Sequence, residues 1–263
     1  MPTPSLALFA QGLALQVGRR LARRFEVARN NPRRKADRSL VTDADLEADE
    51  AFTRALEAAF PGVPVLSEER TTILPETTTA WVLDPLDGTT NFALGLPLWG
   101  VLLAFVEDGQ PTVGVAYFPV MDELFVAVRG QGATRNGAAI HTRGVDTAHE
   151  TAFALVCSRS LRRYRLAWPW KMRILGSAGY EWTTVARGVA VASLQATPKV
   201  WDLAAPALVL TEAGGHWDVL QGENPFPLKA GVDYKNRDFP ALAAASPELW
   251  QTLREGISPR AAG

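Results

Sequence analysis

The stretch Ala80-Trp81-Val82-Leu83-Asp84-Pro85-Leu86-Asp87-Gly88-Thr89-Thr90-Asn91-Phe92 passes from a short apolar run into a polar turn. The run ends at an acid and a proline, which reads as a buried strand, Ala80–Leu83, delivering Asp84 at its C-terminal end. Asp87 follows, then a glycine and two hydroxyl residues. Carboxylates and a free backbone carbonyl are hard oxygen ligands suited to Mg²⁺, and the amides after Gly88 can face a phosphate where a helix begins. Asp-Pro and Asp-Gly are also ordinary turn dipeptides, so the spacing alone leaves a structural and a catalytic turn both open.

Working outward, Phe9, Leu13, Val17, Leu21 and Phe25 recur every four residues and form one stripe of a core-docking helix, with arginines on its other faces. Asn30 to Lys35 reads as a polar, Pro-broken loop. Thr42 with Asp45 can cap a second helix that turns Leu46, Phe52, Leu56 and Phe60 inward and stops before Pro61. The acids near that start, Asp43, Asp45, Glu47 and Asp49, are favoured there by the helix macrodipole alone. After the Asp84 strand, Trp99–Val106 and Thr112–Phe118 read as strands joined through Asp108-Gly109, followed by Glu123–Val128 and an Asn136-Gly137 turn. The first half is thus two helices and an antiparallel sheet.

The second half alternates strands (Ala152–Val156, Met172–Leu175, Val189–Leu194, His216–Val219, Leu242–Ala245) with helices (Ser177–Arg187, Asp202–Ala213 closed by Gly214-Gly215, Pro247–Ile257). This is an α/β pattern, so the expectation is two lobes, 1–145 of α+β layout and 146–263 of α/β layout.

The 263 residues are 47% hydrophobic and 21% charged, as in ordinary globular proteins, with 27 basic against 28 acidic residues. A net charge of -1 gives no general attraction to nucleic acid or anionic membrane. The arginines Arg19 to Arg24 and the run Arg33 to Lys35 are the basic candidates for a contact with RNA; a solvated helix face and a loop are the plainer reading. No apolar run approaches the roughly 20 residues that cross a bilayer, and the arginines follow rather than precede the apolar start, the reverse of a signal peptide. A lone cysteine, Cys157, forms no intramolecular disulfide and reads as a buried small hydrophobe, so the cytoplasm is the expected compartment.

Two further acidic sites are ambiguous by themselves. Asp202 in Trp201-Asp202-Leu203-Ala204-Ala205 stands where a helix begins, the place of an N-cap. Glu68-Glu69 follows a strand end at Val65-Leu66, where paired acids are usually solvated.

Taken together, Asp84 to Phe92 and Trp201 to Gly215 resemble the two signatures of the inositol monophosphatase family, within the Mg²⁺-dependent, lithium-sensitive phosphatases. The likeness extends over most of the chain. Leu40-Val41-Thr42 to Asp45 resembles the family's early threonine-aspartate segment, Ser67-Glu68-Glu69 its glutamate pair, and Gly130 to Gly137 its hairpin region. The resemblance implies a layered α-β-α-β-α sandwich of the sugar-phosphatase type, with the site between two lobes, in a homodimer. It implies that Glu68, Asp84, Asp87 and Asp202, with the Leu86 carbonyl, hold two or three Mg²⁺ ions, and that Asp45 acts behind them or at a weaker third ion. Thr89 with Glu68 would orient the attacking water, and the Gly88 and Thr89 amides would hold the phosphate.

Gly176-Ser177-Ala178 resembles the substrate-side turn, and Gln195 falls where inositol-specific members carry a glutamate. Glutamine keeps an acceptor, adds a donor and loses the charge, which bears on the choice of polyol or sugar. Pro206 replaces a small residue in the second signature, tolerable in a helix's first turn. The substrates in view are inositol 1-phosphate, fructose 1,6-bisphosphate, histidinol phosphate and 3'-phosphoadenosine 5'-phosphate. His141, His149 and His216 fall outside the assigned residues and read as structural or exposed, which argues against a Ser-His-Asp hydrolase.

Overall fold

The computed structural model describes residues 3–30, 39–142 and 146–260. Two long helices come first, α1 (Thr3–Asn30) and α2 (Ser39–Ala59). A seven-stranded sheet follows in sequential order: β1 (Val65–Ser67), β2 (Ala80–Asp87), β3 (Gly100–Glu107), β4 (Gln110–Phe118), β5 (Glu123–Val128), β6 (Ala133–Arg135) and β7 (Ala138–Ala139). A short helix, α3 (Thr89–Leu94), leaves the end of β2. The remaining elements are β8 (Phe153–Val156), α4 (Ser158–Arg163), β9 (Tyr164–Leu166), β10 (Lys171–Arg173), α5 (Ala178–Ala186), β11 (Ala192–Gln195), α6 (Val200–Glu212), β12 (His216–Val219), β13 (Ala241–Ala244), α7 (Pro247–Glu255) and β14 (Ile257–Pro259). They build a five-stranded sheet of order β10-β8-β11-β13-β12, with β9 and β14 pairing separately.

Alternation along the strands explains the layering. In β2, Trp81 and Leu83 face one apolar cluster with Leu13, Val17, Leu21, Phe25, Phe52 and Leu56 of α1 and α2. Ala80 and Val82 face a second cluster, filled by α5 and α6 and reached from the other sheet by Leu155, Ala241 and Ala243. Ala154, Val156, Leu242 and Ala244 point outward to a third cluster with Leu253 of α7. The order is therefore α1/α2, sheet, α5/α6, sheet, α7: a layered α-β-α-β-α sandwich, as expected.

Several boundaries differ from the sequence reading, each for a local reason. β2 does not stop at Leu83 but runs through Pro85 to Asp87, because a bulge absorbs the proline. β1 pairs parallel to β2, so the first sheet is not wholly antiparallel. α2 begins at Ser39, which puts Thr42 inside the helix rather than at its cap. Leu46 lies on the outer face of α2, 41% exposed. α7 ends at Glu255 because Ile257 pairs with Leu166 in β14. Pro206 sits in the interior of α6, beyond its first turn, where its ring removes one helical donor. Cys157 is half-buried rather than fully buried, packing against the third cluster, and its sulfur caps α4 by accepting from the Ser160 amide at 3.3 Å. Of the loop expected from Asn30 to Lys35, Asn30 belongs to α1 and residues 31–35 lie outside the described residues.

The hairpin signals held. Asp108-Gly109 and Asn136-Gly137 join β3 to β4 and β6 to β7, with all four residues at positive φ, as tight hairpins demand.

Candidate active site

The bulge in β2 builds the site. Residues 84 and 87 are an odd number of steps apart and should face opposite sides of a sheet, but β2 advances from Asp84 to Asp87 while β3 advances only from Leu102 to Gly100. The extra residue resets the alternation, so Leu86 packs with Trp99 toward α1 while both aspartates face α5 and α6. Gly88 then turns the chain at φ 82°, a region that disfavours side chains, and a Cβ there would also come within 2.9 Å of the Leu98 carbonyl. Phe92 anchors the following helix, its ring tilted against Phe25 at 5.4 Å and edge-on to Trp99 at 4.9 Å between centroids.

The third acid arrives from α6. Asp202 is not the N-cap of that helix; Lys199 is, and Asp202 is its third residue, accepting from the Lys199 amide at 2.6 Å. Ligand oxygens of Asp84, Asp87 and Asp202 lie within 4.8 Å of one another. Glu68 is outside that 4.8 Å set; the parallel register that sets Ser67 against Leu83 brings it near enough to be repelled by Asp202 and Asp87.

Donors orient these carboxylates. Asp87 accepts from the Ser177 hydroxyl and from the amides of Ala178 (3.1 Å) and Gly179 (3.0 Å), all at the start of α5. Asp84 accepts from the Leu86 amide at 3.0 Å, and the Thr89 hydroxyl donates to the Leu86 carbonyl at 2.9 Å. That carbonyl has a second lone pair to offer, as does the Thr89 oxygen.

Burial and mutual repulsion hold the acids above their usual range. Burial, then Glu68, Asp202 and Asp87, raise Asp84 well above an ordinary aspartate. Burial and then Asp202 push Asp87 up to about 7 against its hydrogen-bond donors. Asp202 is raised by burial, opposed by the Lys199 amide and a hydrogen bond shared with Asp84. Glu68 opens to solvent, yet the protein crowding its carboxyl, followed by Asp202, Glu69, Asp45 and Asp87, pushes it up to about 8. Such an all-oxygen, charge-excess set fits a hard divalent cation, which relieves the repulsion that a proton otherwise relieves.

Behind this set, Asp45 is buried on α2 and pushed up to about 7, by burial and then by Glu69. Asp49, one turn on, was not singled out from the other helix-start acids in the sequence. It is wholly buried, accepts from the Ser67 hydroxyl and pairs with Arg70, so it ties α2 to both sides of Glu68-Glu69. The available signal was its spacing: Ala44, Asp45, Ala48 and Asp49 form one inward stripe, while Asp43 and Glu47 are exposed.

On the side of the predicted substrate turn, Ser177 and Ala178 are engaged with Asp87, and Gly176 packs on Asn91. Gln195 is buried at the end of β11, its amide donating to Glu181 at 2.5 Å and to Ser193 at 3.2 Å. Glu181 escaped the sequence reading, although a lone acid within the apolar helix Ala178–Ala186 demands a partner. The histidines stand apart: His216 packs edge-on to Trp250, His149 bonds Thr151, and His141 is exposed.

A family model described as the inositol monophosphatase family matches residues 4–255. The chain belongs to the inositol monophosphatase family. It is 35% identical over 226 residues to an inositol-1-monophosphatase of Mesorhizobium japonicum, covering 80% of this chain and 83% of that one. It is 34% identical over 203 residues to a histidinol-phosphatase of Mycobacterium tuberculosis, covering 72% and 77%. Among solved structures, the extragenic suppressor protein suhB of Bartonella henselae superposes with a TM-score of 0.76 at 26% identity, over 96% of this chain and 98% of that one. Membership in the inositol monophosphatase family, with phosphatase-named relatives, makes the chain a phosphoric monoester hydrolase. Among the described residues, no helix is long and apolar enough to cross a membrane.

Proposed function

We propose that the chain is a Mg²⁺-dependent phosphomonoesterase acting on a small phosphorylated polyol or sugar, with inositol 1-phosphate the first candidate. The observation that carries this reading is the convergence of Asp84, Asp87 and Asp202 beside the Gly88-Thr89 turn. Phosphate-monoester hydrolysis is among the slowest uncatalysed reactions, so the site must lower a very large barrier. Bound Mg²⁺ supplies positive charge against the phosphate and leaving oxygens and lowers the pKa of water.

The chain's own residues do the rest. Asp84, Asp87, Asp202, Glu68 and the Leu86 carbonyl hold the ions. Thr89, its hydroxyl hydrogen directed to the Leu86 carbonyl, offers its oxygen lone pairs to the attacking water, with Glu68 as the second acceptor. The amides at Gly88 and Thr89 take the phosphate oxygens, Asp45 supports the Glu68-Glu69 side, and Gln195 contacts the organic part of the substrate. Ser177 and Ala178 serve this site by orienting Asp87. The proposal includes lithium inhibition, a cytoplasmic homodimer and a lobe boundary between residues 145 and 146. Contact with RNA polymerase or another part of the transcription machinery is the second reading, supported by relatives named Nus factor SuhB in Xylella fastidiosa and Pasteurella multocida, each 32% identical to this chain.

The test is phosphate release from inositol 1-phosphate, fructose 1,6-bisphosphate, histidinol phosphate and 3'-phosphoadenosine 5'-phosphate, with and without Mg²⁺. Mg²⁺-dependent turnover of a polyol or sugar phosphate is expected. Turnover that is indifferent to chelation, or confined to the nucleotide, overturns the reading.

A further inference from the structure

Glu181 is an almost wholly enclosed acid outside the metal-type cluster, and its two oxygens face different partners. Oε1 accepts from the backbone amides of Leu175 (3.0 Å) and Gly176 (3.3 Å). Oε2 accepts from the Ser193 hydroxyl (3.1 Å) and from Nε2 of Gln195 (2.5 Å). Backbone amides can only donate, so they fix Oε1 in place; burial raises the carboxyl's pKa, these amides with Ser193 and Gln195 oppose that, and in the ionised form Oε2 faces Gln195 as an acceptor. The Gln195 amide has one way to answer an acceptor, with its NH₂ inward, and the second Nε2 bond to Ser193 at 3.2 Å completes the lock. Gln195 is only 6% exposed, yet its Oε1 takes no bond from the described residues and is not among the side-chain atoms sealed from solvent without a partner.

Two connections join this pair to the acid cluster. Glu181 lies one turn along α5 from Ser177, Ala178 and Gly179, which hold Asp87. Gln195 is followed by the short loop that leads into Lys199 and Asp202.

We propose that Glu181 is a positioning residue that locks the Gln195 amide, so that residue 195 meets the substrate as a hydrogen-bond acceptor only, selecting an organic moiety that presents hydroxyl donors. The inference deepens the reading of the site as a phosphatase of polyol or sugar phosphates and rests on it. Glutamine here thereby reproduces the acceptor character of a carboxylate without its charge, the charge standing one residue further back on Glu181.

The substitution E181Q has a directed consequence. The Leu175 and Gly176 amides claim the new amide's oxygen, so its NH₂ faces Gln195 and meets another donor. Gln195 must then turn over and present its NH₂ outward. The reversed pair E181Q/Q195E restores one donor facing one acceptor and leaves an acceptor at position 195.

The first readout needs neither metal nor substrate. In ¹⁵N-edited NMR spectra of the metal-free full chain, with the Gln195 side-chain signals identified by their loss in Q195M, the Gln195 NH₂ protons are expected to exchange slowly and to shift in E181Q. An NH₂ that exchanges like an exposed glutamine's, or that is indifferent to E181Q, overturns the proposal. The second readout is the ratio of kcat/KM for inositol 1-phosphate to that for p-nitrophenyl phosphate, whose aryl group has no hydroxyl. A merely structural effect on Asp87 lowers both values and leaves the ratio unchanged. The ratio is expected to fall at least about fivefold in E181Q, chiefly through KM, as loss of one net hydrogen bond dictates, and to recover in E181Q/Q195E. An unchanged ratio in E181Q, or no recovery in the reversed pair, overturns the proposal. Should wild type hydrolyse p-nitrophenyl phosphate but no polyol or sugar phosphate, the substrate reading fails, and the NMR result still decides the lock.

Discussion

Replacing Asp84 by Asn should stabilise the metal-free protein while removing its activity, and the two effects share one cause. The asparagine Oδ1 can keep the 3.0 Å bond from the Leu86 amide, and its NH₂ can donate to Asp202, with which Asp84 shares a hydrogen bond. What is lost is one negative charge from a set of oxygens within 4.8 Å. At that separation, with an effective dielectric constant of about 20, each fully ionised pair costs about 3.5 kcal/mol. The acids relieve much of this by keeping protons, so the expected net gain is about 1–3 kcal/mol near pH 8. For a chain of this size that raises the melting temperature by roughly 2–5 °C. Calorimetry in chelator measures the gain, which should shrink toward pH 5 as the remaining carboxyls protonate. In Mg²⁺ the order reverses: the variant gains less from the ion, and phosphate release falls by at least about 100-fold. A variant less stable than wild type in chelator, or one that turns over at near wild-type rate, refutes the reasoning.

Asp45, Asp87 and Glu68 have folded-state pKa values of about 7, 7 and 8, above their ordinary 3.8 and 4.5. Their contribution to stability is present in full below about pH 4 and is lost as pH rises through the raised values. Thermal melts in chelator should therefore fall from about pH 5 to about pH 8.5, and Mg²⁺ should flatten the slope; a flat profile in chelator contradicts the charge-excess account. Gly179→Ala puts a methyl group 2.7 Å from the Leu102 Cδ2 and 2.8 Å from the Asp87 Oδ2. It should cost about 1–3 kcal/mol in urea unfolding and lower kcat by roughly tenfold or more, by displacing that carboxylate. Asn91→Ala removes donors to the Leu98 (2.6 Å) and Leu175 (2.7 Å) carbonyls. A loss of about 2–3 kcal/mol by urea unfolding is expected, and a loss below about 0.5 kcal/mol would mean that water satisfies both carbonyls.

The elements whose pattern is local were readable from the chain. The apolar stripe of α1, the Asp108-Gly109 and Asn136-Gly137 hairpins and the α5 helix from its Ser177 cap to Arg187 are each signalled by residues close in sequence, through periodicity, turn chemistry or capping. The residue types of the candidate site were readable too, through the two signature segments. Less legible were features whose cause lies elsewhere in the fold. The bulge that turns Asp87 to the side of Asp84 depends on pairing with β3. The burial of Asp49 depends on Ser67 and Arg70 lying against α2.

The sequence by itself determined which side chains carry oxygen ligands, which helices and hairpins form, and which family the signatures resemble, because propensity, periodicity and turn chemistry act within a few residues. Only the tertiary structure decided that Asp84, Asp87 and Asp202 converge, that Asp202 is the third residue of its helix rather than the cap, and that Glu181 faces Gln195. Each of those depends on strand register and on the packing of α5 and α6 between two sheets, where burial makes an unpaired charge costly and so fixes which distant groups must meet.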